Sequence, residues 1–288
     1  MDKKPKWLRK KVSLNSKNIN EVKNLLNSSN LHTVCQSAKC PNIFECFSKK
    51  TATFMLMGDI CTRNCAFCSV KSGNPESLDR EESGKIAEAV KKMGLKYIVL
   101  TSVTRDDLDD GGARHFASTV TEIKKVIPES KIECLIPDFK GKIENLKIFL
   151  RCDVDVLNHN LETIKRNYPS VRKNANYEVS LNILKRAKEI EPKIITKSGF
   201  MLGLGEKRNE IIKLLSDIDG ANCDILTIGQ YLRPAAGNIP VKKYYTPEEF
   251  DEIKATAKSF KFKEVVSGIF VRSSYHAAET LEKIKVGI

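Results

Sequence analysis

No apolar run in the 288 residues approaches the ~18–20 needed to cross a bilayer, so a membrane-spanning helix is not expected. The opening residues, Met1-Asp2-Lys3-Lys4-Pro5-Lys6-Trp7, lead into no apolar stretch, and no secretory signal is expected either. They also lack the Arg- and Ser-rich, acid-poor amphipathic length of an organelle transit peptide. These absences predict a cytoplasmic chain. Glycine and proline are few, 15 and 10, against 41% hydrophobic and 30% charged residues. That balance excludes a fibrous or disordered chain and supplies the apolar side chains of a real core. No low-complexity linker interrupts the chain, and a single domain of α/β-barrel size is expected.

Acidic residues are outnumbered, and the formal charge is +13. Eight basic and two acidic residues fall between Met1 and Lys23, which makes a basic arm. There is no recognition-helix signature and no basic stripe interleaved with aromatics, so nucleic acid is not the expected partner. Two readings are left: a solvated lysine-rich surface, or an acidic protein partner steered in by long-range attraction.

The nine cysteines are Cys35, Cys40, Cys46, Cys61, Cys65, Cys68, Cys134, Cys152 and Cys223. Six lie within 34 residues, and the total is odd. In a chain expected to stay in a reducing cytosol, that argues against a disulfide framework and for metal or cluster ligation.

After residue 50, short β-branched runs alternate with amphipathic stretches. Thr53-Phe54-Met55-Leu56-Met57 reads as a strand. Further strands are expected at residues 97–101, 132–136, 154–157, 194–202 and 223–228. Helices are expected at residues 81–93, 116–127, 143–150, 177–190, 209–218 and 247–260. The last has Thr246 as N-cap and Glu248 and Glu249 in its first turn, where the helix dipole favours them. Six βα units in series predict an α/β fold, a partial (β/α)6 TIM-type barrel. Residues 51–262 form that barrel in this reading. Residues 1–50 are an N-terminal extension, and residues 263–288 are a C-terminal extension with a strand near 265–271 and a helix beyond Tyr275.

Cys61-Thr-Arg-Asn-Cys65-Ala-Phe-Cys68 follows the first strand, at the end of the barrel where such enzymes place their chemistry. Three thiolates at this spacing can hold three irons of a [4Fe–4S] cluster, leaving one iron open to a cofactor or substrate. A zinc site short of one ligand, or a chance clustering, is the competing reading; zinc favours paired CxxC units. Cys35, Cys40 and Cys46 form a second set of three. Cys134, Cys152 and Cys223 lie in or beside apolar runs, as small buried thiols do. A fourth ligand for the second set is distant, not a cysteine, or absent.

The CxxxCxxC with Phe67 before its last cysteine resembles the radical S-adenosylmethionine (SAM) superfamily. Gly199-Phe-Met-Leu-Gly203-Leu-Gly205-Glu206 is similar to that superfamily's GxIxGxxE strand. Adding Cys35/Cys40/Cys46, the chain resembles the lipoyl synthases over nearly its whole length. The matching runs include Pro5–Arg9, Ala52–Met55, Thr101–Leu108, Ile136–Phe139, Asn158-His159-Asn160, Thr227–Tyr231 and Val271-Arg-Ser-Ser-Tyr-His276. Two departures are mild: Phe44-Glu45 and Phe47 flank Cys46 where a Trp is frequent, and Arg233-Pro-Ala-Ala replaces Gln-Pro.

The resemblance implies two [4Fe–4S] clusters and SAM as cofactors. One cluster, on Cys61, Cys65 and Cys68, binds SAM through its open iron and cleaves it to an adenosyl radical. The other, auxiliary cluster sits on Cys35, Cys40, Cys46 and a serine oxygen, taken as Ser274 rather than Ser273, and donates sulfur. SAM contacts are implied at Arg63, Thr101, Ser102, Arg105, Asn158, Asn160, Gly203, Gly205 and Glu206. The implied reaction inserts sulfur at C6 and C8 of an octanoyl chain amide-linked to a lysine. That lysine belongs to a lipoyl carrier protein (a lipoyl domain or glycine-cleavage H protein), with flavodoxin or ferredoxin as reductant. Asp106, Asp107, Asp109 and Asp110 read as SAM-site scaffolding rather than a divalent-cation cluster, and equally as loop hydrogen bonders after a barrel strand. His159 reads as a site group or a structural hydrogen bonder, and His276 as structural. Competing functions are another radical SAM sulfur-inserting enzyme, separable by a carrier-protein assay, and a noncatalytic iron–sulfur nucleic-acid sensor. The sensor would show salt-sensitive binding without SAM cleavage.

Overall fold

Seven strands lie side by side in chain order, all parallel: β1 Thr53–Leu56, β2 Tyr97–Ser102, β3 Lys131–Leu135, β4 Val156–Asn158, β5 Ile195–Leu202, β6 Ile225–Gln230 and β7 Glu264–Gly268. The computed structural model describes residues 5–9 and 17–286; residues 1–4 and 10–16 of the basic arm lie outside the described residues. Helices Glu82–Met93, Ala113–Val126, Ile143–Leu150, Tyr177–Ile190, Arg208–Gly220 and Pro247–Ala257 connect successive strands. Parallel neighbours require such crossovers, and helices are their usual form. The result is an α/β partial barrel, open between its edge strands β1 and β7. The six expected βα units are present, and β7 carries the sheet one strand further by pairing with β6 from Ile225↔Glu264 to Gly229↔Gly268.

Local chemistry accounts for the boundaries. The helix expected from residue 116 starts at Ala113, after Gly112 at φ +87°, where a Cβ would fall 2.4 Å from Met57 Sδ. Only glycine fits that turn. Pro247–Ala257 opens with Pro247 in its first turn and a reciprocal cap: Glu249 N donates to Thr246 Oγ1 at 3.3 Å, and Thr246 N to Glu249 Oε2 at 2.9 Å. The last strand ends at Gly268, short of the expected 271, because Val271 N turns back onto Gly268 O at 3.1 Å.

Side chains of Glu133, Asn158 and Lys197 touch across β3, β4 and β5, so they share one face of the sheet, the barrel interior. Ile132, Cys134 and Leu157 alternate with them and are fully buried on the helix side. The N-terminal extension covers the β1 edge through an antiparallel bridge, Thr33↔Phe54, and Met55 N donates to His32 O at 2.8 Å. Leu26, Phe47 and Phe54 are fully buried in that junction, and an otherwise exposed strand edge is thereby closed.

Candidate active site

The loop after β1 is fixed from three sides. Ala66 N donates to Val171 O at 2.9 Å, while Ile239 N and Asn238 Nδ2 donate to Ala66 O. Asn238 Nδ2 also reaches Cys68 O at 2.7 Å. Backbone amides aim at the sulfurs: Arg63 N and Thr104 N at Cys61 Sγ (3.4 and 3.3 Å), and Val70 N at Cys68 Sγ (3.4 Å). Burial pushes the Cys65 thiol up to about 12, helped by the neighbouring Cys68 and Cys61. Burial raises Cys68 as well, with Cys61 adding to it. Cys65 and Cys68 therefore lie within electrostatic reach of Cys61 and of each other, and a nearby cation would favour both as thiolates.

Among the described residues, no three His, Cys, Asp or Glu groups converge on a single ion. Three cysteines on one loop, two of them receiving backbone amides at their sulfurs, are a donor set that fits an iron–sulfur cluster.

Arg63 is committed to the chain itself. Its guanidinium donates to Asp138 at 2.6 and 2.7 Å and to Asp106 at 2.7 and 3.0 Å. It clamps the cysteine loop to the loops after β2 and β3. Two further aspartates are spent in the same way: Asp107 takes Arg105, and Asp110 caps Gly112 N and Arg114 N. Asp109 contributes its backbone carbonyl, which accepts from Lys142 Nζ and Asn145 Nδ2.

Several buried polar atoms near the barrel mouth make no hydrogen bond among the described residues: Arg105 Nη1, Asn158 Oδ1 and His159 Nε2, with Ser102 Oγ at the end of β2. Buried polar atoms are rarely left so, and a polar ligand such as SAM fits donors and acceptors of this kind. His159 Nδ1 donates to Ile136 O at 2.9 Å, and burial pushes the ring down to about 4, so it is neutral with Nε2 as its acceptor. Thr101 Oγ1 is used on Leu135 O at 3.1 Å, and Asn160 Nδ2 on Glu162 at 3.0 Å.

The glycine run behaves differently. Glu206 folds back to accept from Gly203 N (2.6 Å) and Leu204 N (2.9 Å), which occupies those amides. Gly203, at φ +110°, packs so closely that a Cβ would meet Gln230 Nε2 at 2.3 Å. Gly205, at φ +89°, lies beside Lys242.

The second cysteine set meets the C-terminal segment. Cys35 lies in the short helix Val34–Ser37, Cys40 in the following turn and Cys46 in Ile43–Ser48. Asn42 Nδ2 donates to Phe270 O at 2.7 Å, and Tyr275 OH to Glu45 at 3.0 Å. Thr53 Oγ1 donates to Ser274 Oγ at 2.9 Å, and Thr53 also adjoins Cys35, whose ionised form it favours. The charge of Cys40 acts on Arg272, and that of Cys46 on Tyr275. Burial pushes the Cys35 thiol up to about 11. Three thiols and one serine oxygen, separated by more than 220 residues, share one neighbourhood, a donor set suited to a cluster. Ser273 points elsewhere: it accepts from Asn158 Nδ2 at 2.8 Å and donates to Asn160 Oδ1 at 3.0 Å, inside the barrel.

Sequence reasoning missed the interior network. Glu133 accepts from Lys197 Nζ (2.9 and 3.0 Å), Tyr97 OH (2.8 Å) and Asn158 Nδ2 (2.8 Å). It missed Glu162 as well, a residue at φ +65° bonded to Asn160. A charged residue inside an apolar strand run was the available signal. His276 contacts Glu279 (2.6 Å) and Glu45 (3.4 Å), a structural role.

The family model of the radical SAM superfamily matches residues 55–218. A lipoyl synthase of Caldicellulosiruptor saccharolyticus is 52% identical over 282 residues, 98% of this chain and 99% of that protein. A lipoyl synthase of Caldanaerobacter subterraneus subsp. tengcongensis is 51% identical, over 95% of each chain. Among solved structures, the [FeFe]-hydrogenase maturase HydG superposes with TM-score 0.58 at 13% identity, over 91% of this chain and 74% of that one. Methylornithine synthase superposes with TM-score 0.54 at 14% identity, over 95% and 93%. At such identities the structural likeness speaks for the fold alone.

Proposed function

The chain belongs to the lipoyl synthase family of the radical SAM superfamily, and from that premise we propose how its residues divide the reaction. The reaction is insertion of two sulfur atoms at C6 and C8 of an octanoyl chain carried on a protein lysine. When bound, SAM and the two clusters supply an electron, a hydrogen-abstracting adenosyl radical and the sulfur. The protein's task is to bind, orient and exclude side reactions.

Cys61, Cys65 and Cys68 hold the SAM-binding cluster. The amides of Arg63, Thr104 and Val70 steady two of their sulfurs. Arg63 acts through its clamp on the loop, and Arg105, Ser102, Asn158 and Asn160 face the cofactor with Thr101. Gly203, Gly205 and Glu206 shape the wall. Cys35, Cys40, Cys46 and Ser274 hold the auxiliary cluster. Residues 1–50, 51–262 and 263–288 contribute the upstream ligands, the barrel and the serine.

The observation that carries this reading is the step from Ser273 to Ser274. One hydroxyl lies among Asn158 and Asn160 inside the barrel, and the next lies against Thr53, the residue at the head of β1. Two adjacent residues thus link the radical site to the second cysteine set. The substrate is an octanoylated lipoyl carrier, a lipoyl domain or glycine-cleavage H protein, and a flavodoxin or ferredoxin gives the electron. An acidic carrier suits the +13 chain, so its docking weakens as salt rises. Among the described residues, no helix is long and apolar enough to cross a membrane, and we place the enzyme in a reducing cytoplasm. Iron and sulfide content after anaerobic reconstitution tests the cluster count: about eight irons per chain supports two [4Fe–4S] clusters. About four refutes the sulfur-donor role.

A further inference from the structure

We propose that Thr53 is a positioning residue that holds the Ser274 oxygen as a ligand through one donated hydrogen bond. The inference rests on the reading of Ser274 as an auxiliary-cluster ligand. Thr53 opens β1 and is buried, facing the interior. Its Oγ1 donates to Ser274 Oγ at 2.9 Å, across 221 positions of sequence.

A threonine hydroxyl has one proton to give. That proton is given to the Ser274 oxygen. A hydrogen bond to an ionised oxygen is roughly twice as strong as one to a neutral oxygen. The contact therefore strengthens when Ser274 binds iron without its proton, and it favours the bound serine. Ser274 has no other hydrogen bond among those of the described residues. Ser273, held by Asn158 and Asn160, sets the register of the segment but does not reach this oxygen.

The test compares Thr53→Val, which keeps the shape and removes the donor, with Thr53→Ser, which keeps the hydroxyl. All variants are reconstituted anaerobically, alone and combined with Ser274→Ala. Two quantities are read: auxiliary-cluster iron lost to a chelator, and the Mössbauer signature of the serine-bound iron. Thr53→Val is expected to lose that iron about tenfold faster with an altered signature, and Thr53→Ser to match the parent. In the Ser274→Ala background Thr53→Val should add nothing, because the two changes act on one interaction. That non-additivity separates the proposal from a general packing defect. An unchanged Thr53→Val, an equally disturbed Thr53→Ser, or additive effects with Ser274→Ala each overturn it. If Ser274→Ala alone leaves the signature unchanged, the ligand reading itself fails. If only Thr53→Val does so, the ligand stands and this inference falls.

Discussion

Arg63 grips Asp138 through two parallel hydrogen bonds, Nη1 to Oδ2 at 2.7 Å and Nη2 to Oδ1 at 2.6 Å, in a pair almost wholly withdrawn from water. The same guanidinium holds the more exposed Asp106, whose side chain is 23% accessible against 2% for Asp138. Removing Asp138 leaves the buried guanidinium with Asp106 as its remaining partner. Asp138→Asn is expected to cost about 2–3 kcal/mol of stability. Asp106→Asn should cost about 1 kcal/mol, because water can replace it. Denaturant titration of the two variants checks the ranking, and equal losses would show that burial does not control this clamp.

The elements that follow from periodicity were legible in the sequence. The helix Tyr177–Ile190 stands at its expected bounds, and the cysteine spacings marked both candidate ligand sets. Contacts made by barrel closure were not legible. Arg63 meets Asp106 and Asp138 at separations of 43 and 75 residues, and Thr53 meets Ser274 at 221. Local patterns carry no register across a sheet, so nothing in the run Lys131–Leu135 announced that Glu133 faces Lys197. The strand β7 was visible as apolar sequence, but its pairing with β6 depends on where the Pro247–Ala257 helix delivers the chain.

Two buried groups give the stability an acid dependence in separate windows. Burial lowers His159 from 6.5 to about 4. Below the unfolded value the unfolded chain takes up a proton that the native chain excludes, so stability falls as pH drops from 6.5 toward 4. Asp138 is depressed from 3.8 to about 2: burial opposes this, but Arg63 outweighs it. Its contribution, about 2 kcal/mol, is present above pH 3.8 and is lost on the way to about 2. Thermal unfolding of the metal-free chain should decline in both windows. His159→Gln should flatten the upper one only, and a decline that persists there would assign it to another group.

The two cysteine sets should separate by function. Cys65→Ala is expected to abolish reductive cleavage of SAM, seen as loss of 5′-deoxyadenosine. Cys40→Ala should keep that cleavage measurable while thiolated product disappears. Mass spectrometry of an octanoylated carrier reads both in one assay. Thiolated product from both variants would refute the two-cluster division.

Ser273 and Ser274 differ in what surrounds them, and their variants should differ accordingly. Ser274 lies against Thr53, so as the fourth auxiliary ligand its replacement in Ser274→Ala should eliminate lipoyl product while the Cys61/Cys65/Cys68 set still supports SAM cleavage. Ser274→Cys offers a softer ligand that binds iron more firmly. It should retain auxiliary iron yet slow sulfur donation, which requires one corner of the cluster to open. Ser273→Ala removes two hydrogen bonds, to Asn158 and Asn160, each worth about 1 kcal/mol. It should lower turnover by about tenfold without changing auxiliary iron content, because those asparagines keep their contacts to Glu133 and Glu162. Product formation and iron content, measured on the same preparations, decide the order. A larger iron loss in Ser273→Ala than in Ser274→Ala would move the ligand by one residue, and full activity in both would leave the auxiliary set with three thiolates only.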